Sequence, residues 1–218
     1  YHPLSSYCHK VLIALYESGT PFTPHLIDLG NDADRALLSS HWPLCKFPVI
    51  FDAARQRSLP ESTAIIEYLN QHHPAAPPLI PDDPERALDA RLWDRIFDNH
   101  VHTPMQQIVA DRISRANADL SRQRALLQAA YRVIDAQVAR HAWAAGAQFS
   151  LADCAAAPAL FYATTLEPLP GDARHLRAYF DRLMDRPSVQ RTLQEARPYF
   201  KYYPFAEALP ARFRADAA

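Results

Sequence analysis

Glycine is scarce in this chain: 218 residues contain four. A loop that wraps its backbone around phosphates needs glycine at short fixed intervals, so the phosphate-cradling loops of nucleotide enzymes are excluded. Cysteine is as sparse. Cys8, Cys45 and Cys154 make an odd number with no CxxC pair, which argues against a disulfide framework or thiolate metal knuckle and leads to the expectation of a reducing, cytoplasmic setting. Neither sign of charge dominates, with 23 Lys and Arg against 24 Asp and Glu and a formal net charge of -1. Without a basic cluster there is no phosphate-tracking surface, and no nucleic-acid partner is expected. Long apolar runs are missing too. LADCAAAPALFYATTL, from Leu151, carries Asp153 and Pro158 and is shorter than the roughly 20 residues a bilayer span requires, so it reads as a buried helix and no membrane partner is expected. The front lacks a signal-peptide pattern, and because it opens at Tyr1 without a methionine, a first strand is expected to be cut short.

What is present is a 49% hydrophobic composition, typical of a globular protein of one large or two modest domains. Cys8, Val11, Leu12 and Leu15 fall on one helical face, with Gly19 as the stop. Phe22 to Leu29 reads as an edge strand, Asp32 to Ser40 as a short helix, and Val49-Ile50-Phe51 and Ser58-Leu59 as strands. Ser62 to Gln71 is a helix with Ile65, Ile66 and Leu69 on one side. These alternating elements make a small α/β unit. HHPAAPPLIPDDPE, His72 to Glu85, holds five prolines and reads as a linker. Beyond it every pattern is helical: Leu88, Leu92 and Ile96; then Leu127, Tyr131, Ile134 and Val138; then Leu176, Phe180 and Leu183. Pro104 should kink or end the first of these helices. The tail from Lys201, KYYPFAEALPARFRADAA, is expected to pack as an irregular arm.

Three short stretches could carry chemistry. In SSYC, Ser5 and Ser6 stand at a helix N-terminus, where free N–H groups and the dipole favour negative charge; the alternative is that Ser5 only caps the helix. In WPLCKFPVIFD, Phe47-Pro48 enters a strand, and an ordinary edge proline is the alternative. In LPESTAIIEYL, Glu61 and Ser62 open a second helix able to hold a carboxylate, with capping again the alternative. FSLAD, Phe149 to Asp153, is a structural capping box in which Ser150 and Asp153 bond each other's backbone, with Phe149 stapled on Cys154. The ten histidines suggest no metal site: residues i and i+2 in His100-Val101-His102 do not face one another, and no third ligand stands at a suitable spacing.

In their fixed order SSYCHKVLIAL, WPLCKFPVI and LPESTAIIEYL, followed by a helical half holding FSLADC, the chain resembles the cytosolic glutathione S-transferase family from Tyr1 to about Phe205, and more narrowly a serine-type, theta/zeta-like bacterial member. The resemblance implies a thioredoxin-like N-terminal domain (1–73), a linker (74–84) and an all-helical C-terminal domain (85–218). It implies glutathione as co-substrate, with Ser5 donating a hydrogen bond to its thiolate and Ser6 and Cys8 flanking. Phe47 would pair through its backbone with the cysteinyl part, beside a cis Pro48. Glu61 and Ser62 would take the γ-glutamyl end and Lys46 the glycyl end. An electrophile pocket would use Leu4, parts of Asn99 to Gln106 and the aromatic tail, and a homodimer is expected through the linker and the helices after it. Cysteine-using classes place their cysteine where Ser5 stands, and Tyr1 is the runner-up hydroxyl. Cys45 falls where the family often has glycine. SSYC also resembles the CPYC stretch of glutaredoxin-like proteins with the attacking cysteine replaced, and Cys8 lies on the apolar helix face, as core.

The activity so implied is attack of a glutathione thiolate on a small, apolar electrophile. Two alternatives stand beside it: a glutathione-dependent isomerase of the maleylacetoacetate type or disulfide reductase, and a non-catalytic glutathione-binding protein.

Overall fold

A computed structural model describes residues 1–213. Helix α1, Ser6–Ser18, begins at Ser5, whose Oγ accepts the Cys8 N–H at 3.3 Å, and ends where Gly19 takes φ 64, a left-handed turn that glycine adopts without a Cβ clash. Helix α2, Asp32–His41, is capped by Asn31, whose side chain accepts from Ala33 and Asp34. Strands β1, Val49–Asp52, and β2, Arg57–Pro60, pair antiparallel with Val49 opposite Pro60 and Asp52 opposite Arg57. Helix α3, Ser62–His72, follows.

The expected strand over Phe22 to Leu29 is a correction. Its backbone is irregular, bonded alongside to Tyr1 by Ile27 N–H to the Tyr1 carbonyl at 2.9 Å and by the Tyr1 amine to the His25 carbonyl at 2.8 Å. Pro21 and Pro24 remove N–H donors from this stretch, so a ladder cannot propagate along it.

After the proline-rich segment come α4, Pro84–Phe97, a π turn, Asp98–His102, and α5, Thr103–Ser114. Pro104 changes the winding as expected: it has no N–H to give to the turn before it, and the chain takes the wider π geometry there. Helices α6, Ser121–Val138, α7, Leu151–Leu166, α8, Arg174–Met184, and α9, Pro187–Ala196, complete the helical half, and short 3-10 turns run to Phe213. The last part of the expected arm, residues 214–218, lies outside the described residues.

Helix α7 is the hub. Its 16 residues are apolar on every side and pack against α1, α4, α5 and α8. Its capping box is present: the Ser150 N–H and Oγ both reach Asp153 Oδ2, at 2.9 and 3.1 Å, while Asp153 Oδ1 accepts from Tyr179 Oη and the Ala144 N–H. Both oxygens of this buried carboxylate are thus hydrogen-bonded, although burial still pushes the group up from the usual carboxylate value. One continuous core joins α1 and α3 to α4 through α9. Helix α4 corrects the reading of its pattern, because Leu88 and Leu92 are 59% and 50% exposed and the inward face is Ala87, Ala90, Trp93 and Phe97. Small residues let α4 lie close on the alanine-rich α7, so the period was right and the buried face is the one that sets Ala87 and Ala90 beside Trp93 and Phe97. In the tail Tyr203 packs inward against Tyr162 at a centroid distance of 5.1 Å, as Phe200 just before it does against Phe161 at 5.7 Å, while Tyr202 stays exposed.

Candidate functional site

A cleft of about 830 Å³ opens where the N-termini of α1 and α3 meet the π turn. Five of the sequence-derived positions besides Ser5 are on its walls: Lys46, Phe47, Pro48, Glu61 and Ser62. Ser6 is not. It is buried in the first turn of α1, 5% exposed, and does not line the cleft.

Ser5 both caps α1 and lines the cleft. Its oxygen accepts the Cys8 N–H as a cap, and a hydroxyl that accepts still has its own hydrogen to donate. Cys8 is 1% exposed, its sulfur receives the His2 N–H at 3.4 Å, and burial pushes its thiol up from the ordinary value, which makes it core and not a nucleophile. Tyr1 is absent from the cleft walls and packs against the core; burial and then Tyr199 and Glu195 push its hydroxyl up.

Phe47-Pro48 is cis, as expected. The residues before it explain the position of Cys45, which has φ 52. That left-handed conformation is the one glycine adopts most readily, so a glycine preference there has a backbone cause. Lys46 is exposed, Phe47 half-buried and Pro48 buried.

At α3 the capping alternative fails. Glu61 makes no side-chain cap bond, and its backbone takes φ 70 and ψ 111, a region a residue with a Cβ occupies at a cost. The first helical bond closes from Ile65 N–H to the Glu61 carbonyl at 2.9 Å, so the N–H groups of Ser62, Thr63 and Ala64 have no helical acceptor. All three residues line the cleft. A bare helix N-terminus, a buried hydroxyl and an exposed carboxylate together suit an amino-acid end, with its carboxylate and its ammonium.

Sequence reasoning missed the opposite wall. Tyr7, Arg95 and Asp98 face the cleft, as do Asn99 and Gln106 from the segment proposed for the electrophile. Leu4 and the aromatic tail do not line it. The Tyr7 ring lies 4.6 Å from that of His102, and burial, followed by the Asp98 charge, pushes its hydroxyl up to about 12, so it stays protonated. Asp94, Asp98 and His102 recur every four residues on the inward side of α4 and the π turn, beside Trp93, Phe97 and Val101. That polar stripe within an apolar face was the available signal. Among the described residues no group of three or more His, Cys, Asp or Glu is arranged to hold a metal ion, and no helix is long and apolar enough to cross a membrane.

A small α/β unit followed by a helical half, with a cleft where they meet, is the architecture of a glutathione transferase. The pattern of the glutathione S-transferase N-terminal domain matches residues 1–78, and that of the glutathione S-transferase C-terminal domain matches residues 92–187. The glutathione S-transferase-like protein LUC7 of Fusarium sp is 31% identical over 162 residues, 71% of each chain. FtsZ-localized protein A of Caulobacter vibrioides is 29% identical over 208 residues, 90% of each chain. A solved glutathione S-transferase of Methylobacterium radiotolerans, in complex with glutathione sulfonate, superposes with a TM-score of 0.74 at 29% identity, covering 88% of this chain and 92% of that one. The chain therefore belongs to the glutathione S-transferase family, with a thioredoxin-like N-terminal domain and a helical C-terminal domain.

Proposed function

We propose that the protein is a serine-type glutathione transferase that binds glutathione in this cleft, holds its sulfur as a thiolate and directs it at a small apolar electrophile. The observation that carries this reading is the convergence on one cleft of Ser5, Lys46, Phe47, Pro48, Glu61 and Ser62, which lie far apart in the chain. Ser5 Oγ donates to the thiolate while the α1 N-terminus adds its positive end. Backbone groups of Phe47 pair with the cysteinyl unit as a strand would. Ser62 and the uncapped N-terminus of α3 take the γ-glutamyl carboxylate, Glu61 takes the ammonium, and Lys46 takes the glycyl carboxylate. Binding supplies proximity, and Asn99 and Gln106 border the space left for the electrophile. Leu88 and Leu92, apolar and outward on α4, support a homodimer through that helix.

The test is retention on immobilised glutathione followed by turnover with a panel of aryl halides, epoxides, disulfides and a cis-enone isomerisation substrate. Conjugation of a halide or epoxide is expected. A protein that is not retained loses the whole reading. One that is retained but turns over nothing is the non-catalytic binder, an alternative supported by the 29% identity to FtsZ-localized protein A.

A further inference from the structure

Lys10 is a fully buried lysine, 0% exposed, one turn into α1 beyond Ser5. A lysine so placed needs compensating charge, and its ammonium has two carboxylates. It lies 2.5 Å from Asp94 Oδ1 and 2.8 Å from Asp98 Oδ2, and it donates to Thr63 Oγ1 at 2.9 Å. Asp94 is 0% and Asp98 5% exposed. A second cation reaches the same three side chains from the cleft side: Arg95, its side chain 48% exposed, bonds Asp94 through its other oxygen, Asp98 and Thr63. Two carboxylates are therefore shared between a buried cation and a cleft-facing one. Asp98, Arg95 and Thr63 line the cleft beside Glu61 and Ser62, whereas Lys10 does not.

We propose that Lys10 is a positioning residue for the amino-acid end of the ligand: by balancing the Asp94 and Asp98 charges from behind, it leaves the Arg95 guanidinium and one face of Asp98 available to the cleft. This rests on the glutathione reading. Removing Lys10 leaves Arg95 alone to neutralise two desolvated carboxylates, and its charge is then drawn out of the cleft. Asp98 as it stands is held well below the usual carboxylate range: burial works against this, and the His102 hydrogen bond and the Lys10 charge overcome it. The titratable groups around the cluster are Tyr7 on α1, Glu61 on α3, Arg95 on α4, His102 on the π turn and Cys154 on α7. Burial raises Tyr7 and Cys154 and lowers His102, so those three hold one protonation state between about pH 6.5 and about pH 8.5.

The experiment compares wild type, Lys10→Met and Lys10→Met/Asp94→Asn by calorimetric titration with glutathione and by thermal unfolding across that pH range. In Lys10→Met one carboxylate of the pair is expected to take up a proton. Glutathione affinity should fall about tenfold and its pH profile should depart from that of wild type, and stability should decline as pH rises toward the raised carboxyl value. The double variant restores one cation to one carboxylate, so its affinity should return to within about threefold of wild type with the wild-type pH profile. Equal affinity loss in both variants with unchanged pH profiles would make Lys10 a structural bolt and overturn the proposal. If Lys10→Met does not fold, a folded double variant with near wild-type affinity supports the proposal, and failure of both overturns it. A wild type that binds no glutathione removes the transferase reading, and the charge balance is then judged from the stability slope of Lys10→Met alone, where a flat slope contradicts it.

Discussion

Two helices point their N-termini into the cleft, and they do so in opposite ways. At α1 the end is closed: Ser5 accepts the Cys8 N–H and keeps a hydrogen to donate. At α3 the end is open: Glu61 makes no cap bond, takes φ 70, and leaves the first-turn N–H groups to the cleft. A helix that forgoes its cap loses about 1 kcal/mol, and the strained backbone at Glu61 costs of order 1–3 kcal/mol more. The comparison separates structure from function. In the proposed reading the α1 end serves stability and chemistry with the same side chain, whereas the α3 end gives up stability to receive a carboxylate.

The sharpest way to break this contrast is Ser5→Ala. It should lower kcat/KM for conjugation by about 10²–10³, as loss of one preorganised donor does, and also destabilise the fold by about 1 kcal/mol through the lost cap; steady-state kinetics and thermal unfolding on one preparation check both. Ser62→Ala should act on binding alone, raising KM for glutathione about tenfold with kcat little changed and the melting temperature kept, because the Ser62 hydroxyl caps nothing. Glu61→Gly should move the two properties in opposite directions: the backbone strain is relieved and the protein gains about 1 kcal/mol, while glutathione affinity drops with the carboxylate.

The smallest effect is a pH one, and it belongs to α1. His9 is buried behind Ser5, its Nε2 against the Pro3 carbonyl at 2.5 Å, and burial lowers it to about 4. A histidine lowered in the folded state binds its proton more readily when unfolded. Its contribution is therefore complete above about pH 6.5 and is lost as pH falls toward 4. Burial lowers His102 as well, which acts in the same direction. Thermal unfolding of wild type and His9→Phe between these limits should show a decline in wild type that is reduced in the variant.

What was legible in the sequence was local. Ser5 as cap, Gly19 as stop, the five-proline segment and the FSLAD box rest on neighbours within a turn or two. The cis Phe47-Pro48 bond came from family resemblance, since dipeptide identity does not decide between isomers. The opposite wall was hidden because its partners are far apart: Lys10 and Asp98 meet across 88 residues, and no periodicity in either helix reports the other's position. Leu88 and Leu92 show a further limit. Their spacing specified a helix, but which face turns inward was decided by how closely Ala87 and Ala90 let α4 approach α7.

The central claim is that Ser5 and the α1 N-terminus receive the glutathione thiolate. The most direct measurement is the pKa of the thiol of bound glutathione, followed by its thiolate absorbance in the ultraviolet, in wild type and in Ser5→Ala. The account predicts a thiol held well below its value in water by wild type and returned by about 2 units toward that value in the variant, equivalent to the loss of one charge-assisted hydrogen bond. An unchanged pKa in Ser5→Ala, with turnover also unchanged, would contradict it.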